Sequence, residues 1–206
     1  TIRKAAATAA NQAVNMKLQT LSLALHEGAG ETLDVAAMGQ AMAEGAYFGS
    51  YRYDEFVTDT SNGRRGSLKV EVVDAAASQV KALDRGLCDG AVIGRAQSYA
   101  RTIANRPGNV INPLTLAKAA VEMARGIKGL TCTVFDGRQL KVQKMGGILA
   151  VGSGSKSEPR LIILKYNPAK KPKKGTPRVA LVGKAVTFDS GGISIKPSAD
   201  MDQMKL

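Results

Sequence analysis

Apolar segments of two different repeats take turns along this 206-residue chain, and that alternation restricts its fold more than any other feature. Residues 1–15 are Ala-rich and helical by propensity. Leu18 to Leu25 reads as a strand, closed by His26 and the Gly28/Gly30 pair. Glu31 to Tyr51 has a helical repeat that can put Leu33, Ala36, Ala37, Met42 and Tyr47 on one side. Residues 54–66 are polar and contain Gly63 and Gly66, so they read as a loop. Ser67 to Val73 alternates like a strand, and Ala77 to Asn105 reads as one long helix.

The second half repeats the theme. Arg106-Pro107-Gly108 ends the long helix, because proline biases the preceding residue away from helical backbone. Asn112-Pro113 restarts one, with Asn as N-cap and Pro in the first turn, and that helix runs to about Arg125. Leu130–Phe135 is a strand, and Asp136 caps a short helix through Lys144. Residues 145–154 are Gly-rich and read as irregular. Arg160–Tyr166 and Arg178–Val182 are apolar strands. Alternating strands and helices predict an α/β architecture. We expect a small N-terminal α/β domain (1–94), joined through the long helix to the first part of a second α/β domain (95–206) with a mixed central sheet.

Composition narrows the chemistry. No stretch of about 18 apolar residues exists, so no membrane-spanning helix is expected. The first 15 residues carry no secretory pattern, and a cytoplasmic location is expected. The start at Thr1 suggests a chain cut from something longer. Cys88 and Cys132 match no zinc or redox spacing and are expected to be free, buried thiols. The net charge is +12, which is compatible with nucleic-acid binding. Much of the excess lies in Lys165 to Arg178, a Pro-rich stretch that also reads as a solvated loop between strands.

Several enzyme classes drop out. Gly152-Ser-Gly-Ser-Lys156-Ser157 fails the phosphate-loop pattern, since Ser153 follows Gly152 where Lys is required. No Gly-x-Ser-x-Gly elbow occurs. The only histidine is His26, which makes Ser-His-Asp, Cys-His and multi-histidine zinc sites improbable. The tail remains: Lys184 at the exit of an apolar segment, Asp189 followed by Ser-Gly-Gly, then Lys196. Catalytic groups in open α/β sheets gather at strand carboxyl ends. Spacing alone leaves a catalytic site and an ordinary charged surface loop equally open.

The string GKAVTFDSGGISIKPSADMDQMK (183–205) closely resembles the signature of the leucyl (cytosol) aminopeptidase family. Two weaker echoes precede it in order. Ala104 to Pro113 is similar to the opening of the family's catalytic domain. Met145 to Ser155 and Pro159 to Tyr166 resemble its glycine-rich stretch and the strand that follows. The resemblance covers about 95–206, with 1–94 falling where the family has its variable N-terminal domain.

That resemblance implies a site with two divalent metals, zinc or manganese first and magnesium or cobalt next. It matches Lys184 and Asp189 to metal ligands. It matches Lys196 to the catalytic lysine that polarises the substrate carbonyl, and Met204 to a residue lining the pocket for an apolar first side chain. It also implies a bicarbonate held by an arginine as general base, peptide substrates with a free N-terminus, and a homo-hexamer of paired trimers. DNA-binding regulators occur among bacterial relatives, so a non-catalytic DNA-binding or structural subunit is the alternative. Ala185 replaces a common Gly. The family's next ligand, an aspartate, falls one position past Leu206, and a later Asp-x-Glu-x-Arg segment is absent. Asp200 and Asp202 align with no ligand. The expectation is that these 206 residues alone neither hold the metal pair nor hydrolyse peptides.

Overall fold

The computed structural model describes residues 1–25, 34–58, 66–73, 75–169, 173, 175–201 and 203. The chain separates into two compact units, Thr1–Thr102 and Ile103–Leu206. Both mix helices with a small sheet, so the protein is α/β, as the alternation predicts.

In the first unit, helix α1 (Ile2–Asn15) begins at Thr1, whose hydroxyl accepts from the Lys4 amide. Its buried residues are Ala6, Ala10 and Ala13, a 4-then-3 spacing that makes one narrow apolar stripe. Strand β1 (Thr20–Ala24) pairs in parallel with β2 (Lys69–Val73), with Thr20 opposite Lys69 and Ala24 opposite Val73. Helix α2 (Val35–Ser50) starts at Asp34, whose carboxylate accepts from the Ala36 amide. Helix α3 (Val80–Asn105) is the long helix. Leu25, Met38, Met42 and Leu83 form the core, with Leu23, Val35, Val72 and Leu87 packed around it.

The buried side of α2 differs from the one the sequence pattern suggests. Met38, Gly39, Met42, Glu44, Gly45, Ala46 and Gly49 are buried, whereas Ala37 is exposed and Tyr47 half-buried. Leu33 lies outside the described residues. The reason is that α2 is gripped on two sides. A Cβ at Gly45 would lie 2.9 Å from the Ala6 Cβ of α1, and one at Gly39 would lie 2.7 Å from the Leu83 carbonyl of α3. Apolar periodicity tracks large side chains, and here the closest contacts are made by residues without one. The Cys88 thiol is exposed rather than buried and Cys132 is half-buried; both are free.

In the second unit, Asn112 starts helix α4 (Pro113–Arg125) with a full capping box. Its side chain accepts from the Leu114 and Thr115 amides, and Thr115 Oγ1 accepts from the Asn112 amide. Strand β3 (Leu130–Phe135) pairs antiparallel with β4 (Leu161–Tyr166), Leu130 opposite Tyr166 and Phe135 opposite Leu161. Asp136 caps helix α5 (Gly137–Val142), whose Leu140 is fully buried. Burying a leucine contributes about 1.5–3 kcal/mol.

Two expectations fail in this unit. Residues 145–154 are not irregular: Gly146–Gly152 is helix α6, and Gly146 and Gly147 have nothing within contact of a would-be Cβ. The glycines disfavour the helix without forbidding it, and Leu149 and Ala150 supply good helix formers. Residues 178–182 do not form a strand. They pair with no strand among the described residues, and Val179, Leu181 and Val182 are 83%, 94% and 97% exposed. An apolar run becomes a strand only where a neighbour takes its backbone hydrogen bonds.

Candidate active site

Thr187 to Lys196 contains a tight reversal. Its hinge is Gly191, which has φ = +85°. A side chain is also excluded there by space, since a Cβ would sit 3.1 Å from the Ile195 Cα. Gly191 and Ile195 form an antiparallel bridge, and the Lys196 amide donates to the Ser190 carbonyl at 3.0 Å. The chain therefore folds back so that residue 196 returns over residue 189.

The return brings two predicted site residues into contact. The Lys196 ammonium donates to Asp189 Oδ2 at 2.8 Å, and the Gly191 amide donates to Asp189 Oδ1 at 3.0 Å. Lys196 above all holds the Asp189 carboxyl below its usual range, first through this hydrogen bond. The Gly191 amide and the charge of Lys196 add to the effect, slight desolvation opposes it, and Lys184 lowers it further through space. Both predicted lysines thus act on the carboxylate of the third predicted residue, Lys196 by contact and Lys184 at longer range. Asp189 and Lys184 are exposed and Lys196 is half-buried.

Other members are placed differently. Met204, the predicted pocket residue, lies outside the described residues, as does Asp202. Asp200 has φ = +57° and accepts from Gln203 Nε2 at 2.9 Å, which closes a separate small turn. Phe188, beside Asp189, lies near Gly108: a Cβ there would be 3.4 Å from the Phe188 Cβ. The segment that restarts the chain after α3 thereby backs the reversal. Sequence reasoning missed the ion pair itself. The Ser-Gly-Gly run was the available signal that residues 189 and 196 would meet.

The donor set bears on metal binding. An amine and a carboxylate are suitable ligands for zinc or manganese, and each oxygen of the carboxylate already accepts one hydrogen bond. Two dications, however, require four or more such ligands. Among the described residues no group of three or more His, Cys, Asp or Glu side chains is placed to hold a metal. Lys184 and Asp189 fit the donor type and fall short of the number.

The chain is similar to known proteins along most of its length. The profile of the cytosol aminopeptidase family catalytic domain matches residues 98–206, and that of the family's N-terminal domain matches 1–60. A probable cytosol aminopeptidase from Bdellovibrio bacteriovorus is 41% identical over 172 residues, covering 84% of this chain and 33% of the relative. One from Alkalilimnicola ehrlichii is 38% identical over 205 residues, covering 100% of this chain and 41% of its own. Among solved structures, the bottromycin maturation enzyme BotP in complex with Mn superposes with a TM-score of 0.77 at 33% identity, over 99% of this chain and 41% of that one. The chain thus spans about two fifths or less of the length of these relatives.

Proposed function

Because the chain belongs to the cytosol aminopeptidase family, we propose that it carries part of the active site of a metal-dependent aminopeptidase that removes apolar, Leu-like residues from peptide N-termini. The observation that carries this reading is the reversal at Gly191, which sets the Lys196 ammonium on the Asp189 carboxylate with Lys184 acting on the same group. Zinc or manganese bound there supplies Lewis acidity and an activated water; a relative by structure is known with Mn.

The chain's own residues have separate tasks. Lys184 and Asp189 would contribute two metal donors, one nitrogen and one oxygen, of the kinds that zinc and manganese take. Lys196 stands beside Asp189 as its ion-pair partner. Its ammonium has three N–H donors; one is spent on Asp189 and the others are free to meet a carbonyl oxygen. A fixed cation there stabilises the oxyanion that forms when water adds. The family resemblance assigns Met204 to the recognition of the first side chain.

The test is hydrolysis of Leu-p-nitroanilide by the whole protein, with loss on chelation and recovery with manganese or zinc. No hydrolysis under any metal would overturn the reading. Two donors cannot hold two dications, so the 206-residue polypeptide alone is expected to be inactive. Activity in that polypeptide, free of contaminating peptidase, would refute the donor argument.

A further inference from the structure

We propose that the groove between helix α5, the end of α6 and residues 153–159 is a binding site for a small, non-aromatic phosphate-bearing anion. It has a volume of about 560 Å³ and shares no residue with the Lys184, Asp189 and Lys196 cluster.

The groove is shaped by two glycines. Gly152 lies against the Pro159 ring, where a Cβ would be 2.6 Å from the proline Cβ, and Gly137 lies against Glu158, whose Oε1 would be 2.9 Å from one. Residues 152–159 are thereby folded back onto α5. Arg138 and Lys141, three residues apart, share one face of α5, and Lys156 comes from the returning loop. None of the three makes an ion pair among the described residues. The one acidic lining group, Glu158, is held by Arg160, whose Nη1 lies 2.8 Å from Glu158 Oε2. Three cations thus line one concavity with their potential counter-charge already engaged. Such an arrangement repels itself when empty and is relieved by an anion.

Hydrogen bonding fits the same ligand. Ser155 Oγ accepts from the Ser157 amide at 3.1 Å, so its own hydrogen is free to donate. Arg138 adds a planar fork suited to two phosphate oxygens. No aromatic ring lines the groove, so a nucleobase finds no stacking surface. Its concavity suits a free phosphate better than a flat membrane.

The test is calorimetric titration of the whole protein with pyrophosphate, after EDTA dialysis and at matched ionic strength. We expect one saturable site. The variant R138Q/K141Q/K156Q, at exposed positions, weakens it at least about tenfold, while K141R/K156R retains it. K118Q/K128Q, which removes two exposed cations of the same unit outside the groove, leaves it unchanged. Aminopeptidase activity serves as the folding control. No saturable binding, or equal weakening by K118Q/K128Q, would overturn the proposal. So would capture by phosphatidic-acid vesicles or by an oligonucleotide without pyrophosphate binding.

Discussion

The Lys196 ammonium lies 2.8 Å from Asp189 Oδ2, seven residues back along the chain. The two residues sit on opposite arms of the reversal at Gly191, so one glycine conformation sets the distance between a predicted metal ligand and the predicted catalytic cation. Lys196→Ala in the whole protein should lower kcat by about 10²–10³-fold and leave metal content, read by elemental analysis, nearly intact. Asp189→Asn should reduce metal content as well as rate. Wild-type turnover in Lys196→Ala would remove Lys196 from the chemistry.

The same pair gives a pH signature. The Asp189 carboxyl is held low, chiefly by Lys196. A depressed carboxylate adds stability above its ordinary range, and that contribution is lost as pH falls through the lower folded value. NMR titration of the metal-free protein should therefore find the Asp189 midpoint below that of a free aspartate. In Lys196→Met it should rise toward the ordinary range. Both groups face solvent, so added salt should shrink the difference. An unmoved midpoint in Lys196→Met would remove the lysine as its cause.

Two helical glycines, one in each unit, make an opposite pair of predictions. A Cβ at Gly86 would collide with the Ala36 carbonyl, which is backbone and cannot swing away, whereas one at Gly147 meets nothing. Gly86→Ala should cost about 1–3 kcal/mol in urea unfolding. Gly147→Ala, inside helix α6, should gain up to about 1 kcal/mol from helix propensity. Equal effects at the two sites would refute the close approach of α2 and α3.

Glu44 is the buried acidic residue of α2. It is bonded by Arg3 Nε at 2.6 Å and Gln40 Nε2 at 2.7 Å, which ties α1 to α2. Arg3→Met leaves the carboxylate without its cation and should cost about 1–3 kcal/mol. Adding Glu44→Met should restore part of that loss, because an apolar pair carries no stranded charge. A strictly additive double variant would mean the two side chains do not interact.

The sequence was most legible where local chemistry decides the structure. Asn112-Pro113 starts α4 and Asp136 starts α5, because a side chain two or three residues from the amides it satisfies needs no tertiary help. It was least legible where contacts with distant backbone decide. The α2 surface is organised by glycines that admit α1 and α3, a pattern hydrophobic periodicity does not weigh. At the site, residue types and the Ser-Gly-Gly turn identified Lys184, Asp189 and Lys196. Their actual pairing depends on how tightly the chain reverses at a φ of +85°, which spacing does not encode.

The bare segment around Val179 to Val182 has a practical consequence. Its apolar side chains face water and no strand pairs with it among the described residues. An unprotected stretch of this kind is a template for the same stretch of another molecule. Expressed by themselves, these 206 residues should therefore accumulate as inclusion bodies, and charged substitutions at Val179 and Leu181 should bring them back into the soluble fraction.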